Sequence, residues 1–204
     1  MKLTHPLVAI LFPFLLAGCA ATPSRISYDE MAPRLSYQGF SFLKPASTGW
    51  FIVRDEEQPA DVTLRRDLGS STHTFYARVS LGALDRQPET AREFAKLARI
   101  KQTAPYPIRE LSNAEQTVEI QGQWCIRTDN VSAVRTSADG PELRMVVTSY
   151  RCLHPAFPQV TLDFFYSERG LPSEISPALA ADGEQFLRGV RIDMTPEIPA
   201  GTDQ

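Results

Sequence analysis

The sequence predicts an α+β fold, a mainly antiparallel sheet of about six to seven strands packed with two helices. Three observations carry that expectation. Short segments alternate apolar and polar residues with period two, two others repeat apolar residues with helical period, and two distant cysteines fall opposite each other about a turn.

In chain order, strands are predicted at Gly39 to Leu43, Trp50 to Arg54 and Asp61 to Arg66. The clearest runs from His73 to Leu81, where Phe75, Ala77, Val79 and Leu81 share one face and Thr74, Arg78 and Ser80 the other. After Pro88, which suits a first helical turn, Ala91, Phe94, Ala95 and Ala98 recur at helical spacing while Arg92, Glu93, Lys96 and Arg99 stay outside. Further strands follow at Thr117 to Val134, Leu143 to Leu153 and Gln159 to Ser167. A second helix opens on the capping pair Ser176-Pro177 and aligns Leu179, Gly183, Phe186, Leu187 and Val190, with Gly189 as a left-handed cap.

Residues paired in an antiparallel hairpin have a constant index sum, and for Cys125 and Cys152 that sum centres the turn between Ala138 and Asp139. Ser137-Ala138-Asp139-Gly140-Pro141 has the chemistry of a loop, so the two cysteines should lie opposite or nearly opposite and form a disulfide. With His154 they also make a Cys₂His trio, but a zinc site needs a fourth ligand or a positioned water, and no metal is assigned.

The first residues have another character. Lys2 is followed by an apolar run from Leu7 to Leu16, shorter than the roughly 20 residues that span a bilayer, and then by Leu16-Ala17-Gly18-Cys19. This resembles the lipobox of bacterial lipoproteins. The resemblance implies a signal peptide over 1–18, acylation of Cys19 and a membrane held through that lipid. Ala20 after the cysteine, where aspartate favours the inner membrane, implies the periplasmic face of the outer membrane. The alternative is an ordinary secretory signal cleaved near Ala20-Ala21. Residues 19–36 carry Pro23 and Pro33 without periodicity and read as a flexible tether, 37–193 as one α+β domain and 194–204 as a disordered tail.

Phe40-Ser41-Phe42-Leu43-Lys44-Pro45, then Gly49-Trp50, followed by a long strand, a helix, a meander and a closing helix ending in Val190-Arg191-Ile192, resembles the PsbP/Mog1 architecture over about Tyr37 to Asp193. That resemblance implies an αβα sandwich and protein-binding or assembly roles. It implies no shared catalytic set.

A formal net charge of −3 offers no electrostatic footprint for nucleic acid. No G-x-S-x-G, H-E-x-x-H or phosphate-cradling loop occurs, so no catalytic residue and no cofactor is assigned. Glu56-Glu57 and Arg65-Arg66 read as solvated. Trp50, Phe51 and Phe165 are the candidate interaction surface, because neighbouring rings on a strand point to opposite faces. The expected function is a non-enzymatic binding or assembly domain with an envelope protein partner. The alternative, a ligand carrier or hydrolase with a pocket between sheet and helix, would require Glu56, His73 or His154 to converge.

Overall fold

The computed structural model describes residues 25–54, 61–99, 108–137 and 139–193. Eleven strands and two α-helices occur in the described residues: β1 Arg25–Ser27, β2 Arg34–Tyr37, β3 Phe40–Leu43, β4 Trp50–Arg54, β5 Asp61–Arg66, β6 Thr74–Ala83, α1 Ala91–Leu97, β7 Ile108–Ile120, β8 Gln123–Val134, β9 Leu143–Leu153, β10 Val160–Gly170, α2 Pro177–Gly189 and β11 Arg191–Ile192. Eight strands form one sheet in the order β1-β4-β5-β6-β10-β9-β8-β7, and β11, β3 and β2 form a second of three strands. Every pairing is antiparallel.

The α+β class and the large antiparallel sheet stand as predicted, but the sheet is larger than six to seven strands. One reason is the Thr117 to Val134 segment, which is two strands. Gln121 and Gly122 both take positive φ, 53° and 76°, and close a two-residue hairpin between Ile120 and Gln123. The polar half of β7 was missed because, as the sheet edge, it is exposed over most of its length and has no apolar face to alternate. Its charges Arg109, Glu110, Glu115 and Glu119 and the register shift between Glu110 and Ser112 suit an edge that must resist pairing with other chains.

The second reason lies at the other end. Part of the expected tether is folded: β1 pairs with β4, β2 pairs with β3, and Met31 between them is buried. The described domain therefore begins at Arg25, ahead of Tyr37. Cys19 and the segment 194–204 lie outside the described residues.

Both helices start where chemistry favours it. Thr90, not Pro88, caps α1 by accepting from the Glu93 amide at 3.1 Å, and Ser176 caps α2 ahead of Pro177 at its first position. They pack on opposite faces of the large sheet. Phe94 and Ala98 of the α1 region meet Ile126, Trp124 and Leu153. Leu179, Phe186 and Leu187 of α2 join the main core with Trp50, Ile52, Leu64, Phe75, Leu162 and Tyr166.

Helix α2 comes close to the sheet at Gly183. A Cβ there would lie 2.3 Å from Cγ of Tyr166, at the root of the ring rather than at a movable tip. Gly189 is likewise a contact residue: it does not take the predicted left-handed cap, and its missing side chain admits Leu43, whose Cβ a Cβ there would meet at 3.1 Å. The helix ends instead on an extended Val190.

Cys125 pairs directly with Cys152 in the β8–β9 ladder and the two are disulfide-bonded, with no exposed surface. The index-sum register is the observed one. In the chain-entropy account a loop of 27 residues contributes about 3 to 4 kcal/mol.

Thiol labelling of the unfolded, unreduced protein should find neither Cys125 nor Cys152 reactive, and replacing both with Ala should lower stability by about 3 to 4 kcal/mol in urea titration; two reactive thiols would refute the bond. Gly183→Ala gains about 1 kcal/mol of helix propensity yet should still lower the melting temperature, because overpacking costs about 1–3 kcal/mol and here the whole helix must shift. A melting temperature equal to or above that of the parent chain would show that α2 is not held at this distance.

Candidate functional site

The two faces of the large sheet are closed to different degrees. On the α2 face, Gly183 sits on Tyr166 while its neighbours reach to either side. Asp182 pairs with Arg66, and Glu184 accepts from Arg127 Nη2 at 2.8 Å. Ser47 Oγ donates to Asp182 at 2.7 Å and accepts from Trp50 Nε1 at 3.1 Å. Arg127 also donates to Tyr150 Oη at 2.6 Å and holds Asp129 through both of its oxygens. That guanidinium, helped by Thr148, keeps the Asp129 carboxyl below the usual aspartate range.

This packing corrects one expected surface residue. Trp50 is 1 % exposed, lies 5.1 Å from Phe75 ring to ring and has its indole N–H satisfied under α2. It belongs to the core because it shares a face with Ile52, the face that α2 covers. Phe51 and Phe165 point to the opposite face and are half-buried there, Phe165 edge-on to Tyr76 at 5.7 Å.

On that second face α1 covers the β8–β9 end, and Arg151 links the two by donating to the carbonyl of Ala98 at 2.9 Å and to Asp163 at 2.7 Å. Beyond α1 the face carries a groove of about 580 Å³. Its walls come from alternate residues of neighbouring strands: Thr63 and Arg65 of β5, Thr74, Tyr76 and Arg78 of β6, Ser167 and Arg169 of β10, and Met145 of β9. The register explains the gathering. Arg65 lies across from Tyr76, Tyr76 across from Ser167, and Arg169 between Thr74 and Met145.

Charge in the groove is unbalanced. Arg78 is held by both oxygens of Asp61, which raises its pKa, whereas Arg65 and Arg169 have no carboxylate partner among the described residues. A smaller hollow of about 350 Å³ lies between the end of α1 and β7 to β9, with Arg99, Glu115 and Arg151 on its rim.

The histidines do not converge. His73 precedes β6 and His154 follows β9, two strands that run the same way on either side of β10, so the rings sit at opposite ends of the sheet, roughly 30 Å apart at about 3.3 Å per residue. His73 Nε2 meets the buried Glu168 at 2.9 Å, and the same carboxylate oxygen accepts from the Ser176 amide at the start of α2. Ser70 Oγ contacts the backbone amide of His73, not its ring, so the group ties β6, β10 and α2 together without presenting a nucleophile–base pair. Glu56 and Glu57 lie outside the described residues.

His154 is 1 % exposed. Its Nδ1 accepts from the Ala156 amide at 3.2 Å, which leaves Nε2 as the donor to the Gly39 carbonyl, also 3.2 Å away. Gly39 stands at φ +85°, and a Cβ there would come within 3.0 Å of Nε2. The ring thereby pins the small sheet to β9. Its sulfur neighbours are bonded to each other, so the Cys₂His trio offers no thiolate to a metal.

No protein-family model matches this chain, and no curated protein matches it. Among solved structures it is similar to a crystal structure from Bacteroides thetaiotaomicron, at 15 % sequence identity and a TM-score of 0.38, over 79 % of this chain and 48 % of that one. The chain thus spans about half the length of that protein.

Burial holds His154 below the ordinary histidine value, which sets the sign of a pH effect. The unfolded chain takes up a proton at His154 as pH falls through about 6.5, while the folded chain does not until lower pH, so stability is lost across that interval. His154→Gln should flatten the slope of stability against pH between about 7.5 and 5.5, measured by urea titration. An unchanged slope would mean that the ring takes up its proton at the same pH in the folded and the unfolded chain.

Proposed function

We propose that this chain is a cell-envelope lipoprotein, tethered through Cys19 at the periplasmic face of the outer membrane and presenting one binding domain to the periplasm. The anchor is supported by the lipobox resemblance of Leu16-Ala17-Gly18-Cys19. The binding reading is carried by one observation, the unequal closure of the sheet: one face lies under α2 and the other keeps a polar groove beyond α1.

The finer fold assignment is PsbP/Mog1-like. Its support is the order of elements, with α1 and α2 on opposite faces of an antiparallel sheet and a closing helix followed by Arg191–Ile192. Among the described residues no helix is long and apolar enough to cross a membrane, so in this reading the lipid on Cys19 is the attachment. An acylated cysteine suffices, since each buried CH₂ contributes about 0.8 kcal/mol and more than one chain gives stable anchoring.

Membrane fractionation of cells expressing the full chain tests the reading. The parent chain should sediment with outer membranes, and crosslinking in intact cells should recover a reproducible envelope partner. Cys19→Ser should leave it unprocessed or move it to the soluble fraction. A Cys19→Ser chain that is processed and sediments as the parent does would remove the lipobox argument.

A further inference from the structure

The groove on the open face contains a feature that its hydrogen-bond geometry leaves unexplained. Ser167 has no exposed surface, lines the groove, and its hydroxyl has no hydrogen-bond partner among the described residues. Two residues along the same strand and on the same face, the Nε of Arg169 is also buried without a partner. A buried polar atom left unpaired loses its bonds to water and gains none in return, so such atoms are rare and ask for a reason.

Here the two orphan donors lie beside a positive field. Arg65 reaches the groove from the other side, across Tyr76 from Ser167, and it too has no carboxylate partner among the described residues. Asp61, the only carboxylate on the groove wall among the described residues, is occupied by Arg78. Among the described residues, two guanidiniums therefore face one space without an anion, above a buried hydroxyl.

We propose that this groove is a binding site for an oxyanion, with Arg65 and Arg169 as the charged clamp and Ser167 as the hydroxyl donor beneath it. Planar guanidiniums suit phosphate and carboxylate oxygens because each offers two parallel N–H donors. The groove is open and, at about 580 Å³, leaves room beside the oxyanion for a larger body carrying the phosphate or carboxylate along Tyr76, Val53 and Met145. Such a group comes from a soluble metabolite or from an anionic lipid headgroup. The inference deepens the binding-domain reading and rests on it. The anchor test reads fractionation and the test below reads ligand binding, so each can fail alone.

The full chain carrying Cys19→Ser, which removes lipid from the assay, is titrated calorimetrically with inorganic phosphate and with phenyl phosphate, and separately sedimented with vesicles of phosphatidylglycerol or phosphatidylcholine. Phenyl phosphate should bind saturably and more tightly than inorganic phosphate, and Arg65→Gln and Arg169→Gln should each weaken binding about tenfold. Arg188→Gln, an exposed arginine on α2 outside the groove, should stay within about twofold of the parent chain. Ser167→Ala should weaken binding while leaving the melting temperature unchanged or higher, since it deletes an unpaired hydroxyl. Cosedimentation with phosphatidylglycerol alone, lost in the same two arginine variants, would assign the same site to a headgroup. No saturable binding in either arm, an equal loss in Arg188→Gln, or a Ser167→Ala variant that melts earlier and binds normally would each overturn the proposal.

Discussion

Helix α2 can lie on the sheet only because residue 183 has no side chain. Tyr166 stands upright in the middle of β10, and the helix rests on the root of its ring, where any Cβ would collide. That contact fixes the height of the helix, and much else follows from it. Asp182 and Glu184, flanking the glycine, reach Arg66 on one side and Arg127 on the other. Neither pair is fully buried, so each alone would contribute little; together they set the rotation of the helix about a contact already made by packing. Phe186 then meets Phe42 edge-on at 5.7 Å, and Gly189 lets Leu43 approach, so the same helix carries the three-stranded sheet.

The disulfide acts on the far side of Tyr166. Cys152 sits opposite Leu162 in β10 as well as opposite Cys125, so the covalent link lies one strand from the strand that supports α2. β8 and β9 are thereby held against the core although β7, outside them, is an exposed edge. The consequence for function is geometric. The apolar bulk of α2, the longer described helix, lies on one face, and α1, seven residues long, covers only the β8–β9 end of the other.

How far the sequence reveals this can be judged residue by residue. The faces of β6 and β10 were legible because half-buried strands alternate, and the cysteine register was legible because a hairpin has a constant index sum. β1 and the polar stretch of β7 were not: three residues are too few for a period, and an edge with both faces wet has none. The Gln121–Gly122 turn was hidden because apolar residues continue on both sides of it, Val118 and Ile120 before and Trp124 after. Gly39 to Leu43 was recognisable as a strand, but nothing local says that it leaves the large sheet to pair with β2 and β11. The groove was the least accessible. Arg65 reads as an exposed strand end and is one, and only the long-range placement of β10 beside β6 brings it near Ser167 and Arg169.

A contrast within the molecule gives the groove its weight. Elsewhere, buried polarity is closed into pairs: Glu168 accepts from His73 and Ser176, His154 uses both ring nitrogens, and Thr148 donates to Asp129 and accepts from the Tyr166 hydroxyl. Of the three buried side-chain atoms left without a partner among the described residues, Thr161 Oγ1 belongs to the crowded contact where Gly82 admits Thr161 and Asp163. The other two, on Ser167 and Arg169, share one strand face and one open groove. A chain that satisfies its polar atoms under α2 has the means to satisfy them here, and an acidic residue at either Thr63 or Thr74 would stand on the same wall. Leaving the Arg169 Nε and the Ser167 hydroxyl buried without a partner costs stability by desolvation, and an anion supplied from outside returns that free energy as affinity.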